Sequence, residues 1–189
     1  MIKILLSGGI DSFVMAQIIK NKHQKNIECV FIDYGQPCAN QEWIAAEFCA
    51  YHLALPLIKI TAKSIDSKPM QIGVKRNGPR VIPGRNKRFI ELAAMPQTLS
   101  ENKKTIMVAI GCIKNDYNDY VDCRRGYFDS LETELGIKID TPLISMTKKE
   151  IIRYGSDLPL EMTWSCYQTD TINPCGECNS CRERRMASK

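Results

Sequence analysis

A glycine turn set between an apolar run and a helix-like segment constrains this chain more than any other feature. Residues 2–6, Ile-Lys-Ile-Leu-Leu, read as a buried strand and run straight into Ser7-Gly8-Gly9-Ile10-Asp11-Ser12. Phe13-Val14-Met15-Ala16-Gln17-Ile18-Ile19 then reads as the body of a helix. A strand, a glycine turn and a helix start, in that order, make an anion pocket. The glycines let backbone approach a ligand closely. The free N–H groups and the positive dipole end of the helix favour phosphate. Ser7 and Ser12 add hydroxyls, and Asp11 is suited to help hold a magnesium ion.

Strand and helix signals alternate through the rest of the chain. Strands are expected at 2–6, 27–32, 57–61, 105–111 and 137–140. Helices are expected at 11–22, 40–53, 87–99, 126–135 and 147–154, with Thr147-Lys148-Lys149-Glu150 as a capping box and Gly155 as a stop. This order predicts an α/β fold, a parallel sheet with helices on both faces. Ligands bind such sheets beyond the carboxyl ends of the strands. The polar loops at 7–12, 33–36 and 111–124 all fall there. Residues 62–84 carry Pro69, Gly73, Gly78, Pro79 and Pro83 without a sustained period. A loop that long reads as a lid or substrate loop.

A length of 189 residues suits one α/β domain, expected over 1–160, with a small segment at 161–189. The net charge of +5 suits an anionic small molecule such as ATP and is too small to imply nucleic-acid binding. No run is apolar enough to span a bilayer, and the first strand begins where a signal peptide would lie, so a cytoplasmic protein is expected. His23 and His52 are the only histidines, and surface or packing roles are expected of both.

Nine cysteines in such a chain point to thiols or metal ligands, not disulfides. Cys166, Cys175, Cys178 and Cys181 form a C-x8-C-x2-C-x2-C array with Gly176 between ligands. Four thiolates make the closed tetrahedral site of structural zinc, and an iron–sulfur cluster is the alternative. Arg182, Arg184 and Arg185 offset the thiolate charge. Cys29 and Cys112 read as small apolar fillers, and Cys38 and Cys49 as packing or surface residues. Cys123, between Asp122 and Arg124, lies in a loop at the mouth of the expected site.

Ser-Gly-Gly-x-Asp-Ser at the end of an N-terminal strand resembles the PP-loop of the ATP pyrophosphatases, which split ATP into AMP and pyrophosphate. The wider set of motifs is similar to the 7-cyano-7-deazaguanine synthases (QueC family). That set is Asp33-Tyr34-Gly35-Gln36, Pro83-Gly84-Arg85-Asn86, Asp116 through Tyr120 to Asp122-Cys123-Arg124, Thr141-Pro142-Leu143, Thr163-Trp164-Ser165-Cys166-Tyr167 and Cys175-Gly176-x-Cys178-x-x-Cys181. The family usually carries basic residues after Tyr-Gly-Gln, where this chain has Pro37-Cys38.

The resemblance implies an adenine nucleotide alpha hydrolase-like, Rossmann-type fold. It implies a ligase that makes 7-cyano-7-deazaguanine from 7-carboxy-7-deazaguanine, ammonia and ATP, with Mg2+ on the nucleotide and structural Zn2+. The ATP loop would comprise Leu6, Ser7, Gly8, Gly9, Ile10, Asp11, Ser12, Phe13, Val14, Met15 and Ala16. Ser7, Asp11, Ser12 and Arg85 would carry the chemistry; Arg85 would meet ATP or the substrate carboxylate with its guanidinium. Tyr34, Gln36, Asn86, Asp116, Tyr120 and Asp122 would line the substrate pocket, the tyrosines stacking on a flat ring. A homodimer is implied as well. Three other readings stay open: a related PP-loop adenylating enzyme acting on another acid or amine, a tRNA-base-modifying PP-loop enzyme such as a thiolase, and a non-catalytic nucleotide- or zinc-binding module.

Overall fold

The computed structural model describes residues 1–62, 82, 84–95, 105, 107–116, 121–169 and 171–187. The strands are β1 (Ile2–Leu5), β2 (Ile27–Asp33), β3 (Leu57–Thr61), β4 (Met107–Ala109) and β5 (Lys138–Asp140). The helices are α1 (Ile10–His23), α2 (Ala39–His52), α3 (Arg85–Ala94), α4 (Arg125–Leu135), α5 (Lys148–Tyr154) and α6 (Asn179–Ala187). The strands form one parallel sheet in the order β3-β2-β1-β4-β5.

Strand alternation sorts the core into two layers. Ile2, Ile4, Cys29, Phe31 and Ala109 share one face with Phe13 of α1, Ala46 of α2 and Ile151 of α5. Leu5, Val30, Ile32, Val108 and Ile139 share the other with Ile90 of α3 and Phe128 of α4. Helices therefore cover both faces, and the central strand β1 is buried at every residue. Lys3 is fully buried within that strand and reaches its register partner Glu28 on β2 at 2.5 Å. A charge so placed requires a partner of this kind.

The chain runs outward from β1 to β3 and then returns to β4 on the other side of β1. The reversal lies between β1 and β4, so their carboxyl ends open the crevice where ligands bind. The backbone at Gly111, after β4, comes within van der Waals contact of Asp11 and Ser12, after β1.

Two elements depart from the sequence reading. Helix α3 begins at Arg85, two residues before the expected start, because Gly84 takes a left-handed turn (φ 72°) and frees the next residue for helix. Helix α6 lies in a tail read only as cysteine-rich. It is fastened by Arg184, which donates to the carbonyls of Thr163 (2.7 Å) and Leu160 (2.6 Å) and to Ser165 Oγ (3.2 Å). Most of the expected lid over 62–84, and residues 96–99 of the expected third helix, lie outside the described residues. Among the described residues, no helix is long and apolar enough to cross a membrane.

Candidate active site

The loop after β1 is built for close approach. Gly8 has φ 79°, and a Cβ there would lie 2.4 Å from the Glu42 carbonyl oxygen and 2.8 Å from the Ala46 nitrogen. Only glycine lets α2 pack so near the loop. Ser7 Oγ donates to Ser12 Oγ (3.1 Å), and Ser12 Oγ donates to the Gly9 carbonyl (2.9 Å). Gly9 caps α1 without a side-chain hydrogen bond. The first-turn N–H groups of α1 thus point at the crevice without an intrahelical acceptor.

That crevice is a cavity of about 320 Å³. Of residues 6–16, Leu6, Ser7, Gly9, Asp11 and Ser12 line it. Phe13, Val14, Met15 and Ala16 have no exposed surface and are core residues, and Ile10 is 3% exposed. Lys148 enters the cavity from the first turn of α5, its Nζ 2.7 Å and 2.6 Å from the two Asp11 carboxylate oxygens. The close approach of Gly155 to α1, where a Cβ would meet Val14 Cγ2 at 2.6 Å, brings α5 into reach. Asp116 lies in the same corner. Burial pushes its carboxyl above the usual range, against the Ile113 N–H it accepts at 3.1 Å, and the charge of Asp11 adds to the rise.

A second wall comes from β2, α2 and α3. Tyr34 and Phe89 sit with ring centroids 5.2 Å apart, and the Arg85 guanidinium lies 6.0 Å from the Phe89 centroid. Burial, then the charge of Glu42, pushes the Tyr34 phenol up to about 12, although Arg85 donates to it. Gln36 serves its own loop: its Oε1 accepts from the Tyr34 N–H (2.9 Å) and its Nε2 donates to Glu42 Oε2 (2.7 Å). Asn86 is 5% exposed, and its Nδ2 donates to the Asp122 carbonyl (3.0 Å) and approaches the sulfurs of Cys123 (3.5 Å) and Cys112 (3.8 Å). Cys123 is buried in this wall beside Cys112, whose thiol is pushed well up by its hydrogen bond with Cys123 and by burial. Arg85, Asn86, Tyr34, Gln36 and Asp116 line the cavity; Asp122 stands behind it, with its charge acting on Arg85. Tyr120 lies outside the described residues.

The cysteine segment closes the site. Tyr167, Ser180 and Glu183 line the cavity from the tail. The ligand atoms of Cys166, Cys175, Cys178 and Cys181 all lie within 4.8 Å of one another. Tetrahedral zinc with bonds of about 2.3 Å sets its sulfurs about 3.8 Å apart, so this array fits the ion. Cys166 Sγ accepts from the Gln168 and Cys175 N–H groups, and Cys175 Sγ from Cys178, each at 3.4 Å. Such donors favour thiolates. Trp164 packs on the cluster and donates its Nε1–H to the Cys166 carbonyl at 2.8 Å.

Lys148, Glu42 and the tail residues were not singled out from sequence. A signal existed for Lys148: a lysine in the first turn of a helix opposes the dipole and needs a nearby anion. Glu42 carried none, since it lies in the helix expected over 40–53 with no motif of its own.

The family model described as queuosine biosynthesis protein QueC matches residues 2–189. The chain is 35% identical to a 7-cyano-7-deazaguanine synthase of Nitratiruptor sp., covering 96% of this chain and 90% of the relative. It is 34% identical to one of Picrophilus torridus, covering 94% and 82%. Among solved structures it is similar to a predicted tRNA methyltransferase subunit from Methanocaldococcus jannaschii (TM-score 0.60, 23% identity, 82% and 73% covered). It is also similar to the U34-tRNA thiolase NcsA of Methanococcus maripaludis, solved with its 4Fe-4S cluster (TM-score 0.60, 18% identity, 99% and 63% covered). An NH3-dependent NAD synthetase from Campylobacter jejuni is a further likeness (TM-score 0.55, 21% identity, 84% and 64% covered). At these identities the solved structures speak for the fold. The agreement in sequence, which runs almost from end to end, goes further: this chain is an enzyme and belongs to the QueC family of queuosine biosynthesis proteins.

Proposed function

We propose that the chain is an ATP-dependent carbon–nitrogen ligase that converts 7-carboxy-7-deazaguanine and ammonia to 7-cyano-7-deazaguanine. The observation that carries this reading is the likeness, over 96% of the chain, to a protein named as that synthase. The geometry of the cavity supports this reading. A carboxylate oxygen attacks the α-phosphorus of ATP and pyrophosphate leaves. Ammonia attacks the acyl carbon, AMP leaves, and a proton is lost to give the amide. The amide oxygen then attacks a second ATP in the same way. Loss of AMP and of both amide N–H protons forms the nitrile.

Ser7, Ser12 and the first-turn N–H groups of α1 receive the departing pyrophosphate. Lys148, now on Asp11, is within reach to follow the phosphate charge. Asp11 is the residue that would hold Mg2+, which neutralises nucleotide charge when bound. Arg85 takes the substrate carboxylate or the nucleotide, and Tyr34 offers the ring face. The walls exclude water from the adenylate, which otherwise hydrolyses. Zn2+ at the four cysteines is structural. Residues 1–160 form the catalytic unit and 161–189 the metal-binding segment, in a homodimer that works in the cytoplasm. Incubation of the purified chain with the acid, ammonium and MgATP, followed by mass spectrometry, tests this: the nitrile is expected, and recovery of unchanged acid contradicts it.

A further inference from the structure

Glu42 is a carboxyl of the cavity that has no part in the chemistry above. Glu42 lies in the first turn of α2 and lines the cavity. Gln36 Nε2 donates to its Oε2 at 2.7 Å, and the Cys38 thiol approaches its Oε1 at 3.3 Å. Each oxygen therefore takes one bond from the protein and keeps a lone pair for a ligand. Neither partner is a cation, and among the described residues no lysine or arginine forms an ion pair with Glu42. The charge of Arg85 acts on it only from outside ion-pair distance, and a half-buried carboxylate without an ion pair is costly unless something else satisfies it.

We infer that Glu42 is the base-reading residue of the acceptor pocket, a fork of two acceptors for two adjacent N–H donors on a guanine-like ring. A 7-deazaguanine presents such a pair, its ring N1–H and its 2-amino group. Adenine presents a donor beside an acceptor and mismatches the fork. The cavity receives two purine-like rings in the proposed reaction, and the fork tells them apart. Gln36 and Cys38 are positioning residues that aim it, and Tyr34 beside Phe89 gives the flat surface next to it. Cys38 is 2% exposed, so its contact with Glu42 is held by packing.

The inference rests on the proposed acceptor, and binding separates the two claims. Calorimetry would compare 7-carboxy-7-deazaguanine with its 2-desamino analogue on the wild-type chain and on Glu42→Gln. The wild type is expected to prefer the parent acid by about 100-fold, the range of a good bidentate pair. In Glu42→Gln that preference is expected to fall below about fivefold, with the ATP Kd changed less than about twofold. ATP binding and a single cooperative melting transition would show that the variant is folded. Glu42→Asp, which keeps both acceptors on a shorter stem, should retain part of the preference. A preference that survives in Glu42→Gln overturns the assignment, as does failure of the wild type to bind either acid. Discrimination without turnover would leave Glu42 as the reader and refute the proposed reaction instead.

Discussion

The backbone N–H of Trp164 donates to the carbonyl of Gly8 across 2.9 Å. Through this bond the cysteine segment touches the glycine loop after β1 directly, and the Trp164 carbonyl lies 3.5 Å from where a Cβ on Gly9 would sit. Trp164 is itself tied to the carbonyl of the metal-ligand candidate Cys166. Ordering of the cysteines is therefore transmitted to the loop within a few bonds.

Removing the metal should loosen that loop. Cys181→Ser, or wild type stripped by a chelator, is expected to bind ATP about tenfold more weakly and to exchange the Gly8 and Gly9 amide hydrogens faster. Metal analysis of the untreated chain is expected to find zinc. Loop exchange that is unchanged once the metal has gone would show that the tail and the loop are independent.

Gly8→Ala tests the packing of α2 on the loop. The added carbon would press on the Glu42 carbonyl at 2.4 Å and hold a residue with a side chain at φ 79°. Strain of this kind costs about 1–3 kcal/mol. The expected result is a lower melting temperature together with weakened ATP binding; a silent substitution would mean that the contact relaxes freely.

Lys148→Met removes the cation that grips Asp11 by both oxygens. A preorganised charge on a transferring phosphoryl group is worth about 100- to 1,000-fold in kcat. That loss is expected, with the melting temperature little changed because the pair is partly exposed. Lys148→Arg should rescue poorly, since a planar fork cannot follow a point charge into the same space. Full activity in Lys148→Met would remove the residue from the mechanism.

The central strands and the glycine turn between β1 and α1 were legible in the sequence because each depends on local signals. Buried apolar runs gave β1 and β2, and the Thr147 capping box gave α5, where Thr147 Oγ1 does accept from the Glu150 N–H. The Lys148–Asp11 pair was not legible, because it joins residues 137 positions apart and depends on how α5 lies against α1. Glu42 was hidden for a related reason. Its environment is made by Gln36 and Cys38, in the loop before α2, and depends on how α2 packs on Gly8. The tail read as a metal site, but its contribution of Tyr167, Ser180 and Glu183 to the cavity required the folded chain.

The pH dependence of stability should carry a mark of Glu42. Burial holds its carboxyl above the ordinary range, with the charge of Asp33 adding to the rise and Gln36, Cys38 and Arg85 opposing it. The folded chain thus keeps this proton longer than the unfolded chain. The stability from that protonation is full below the ordinary glutamate range and is lost as pH rises through the folded value. Glu42→Gln lacks this loss. Its melting temperature relative to wild type is expected to climb as pH rises above the ordinary glutamate range. A constant difference over that span would contradict a raised Glu42.

The most direct test of the account is pyrophosphate release by the purified chain with MgATP and ammonium, with and without 7-carboxy-7-deazaguanine. The account predicts release of pyrophosphate and AMP only when the acid is present, abolished in Asp11→Asn. Release of ADP and phosphate in place of AMP and pyrophosphate, or release indifferent to the acid, would contradict it.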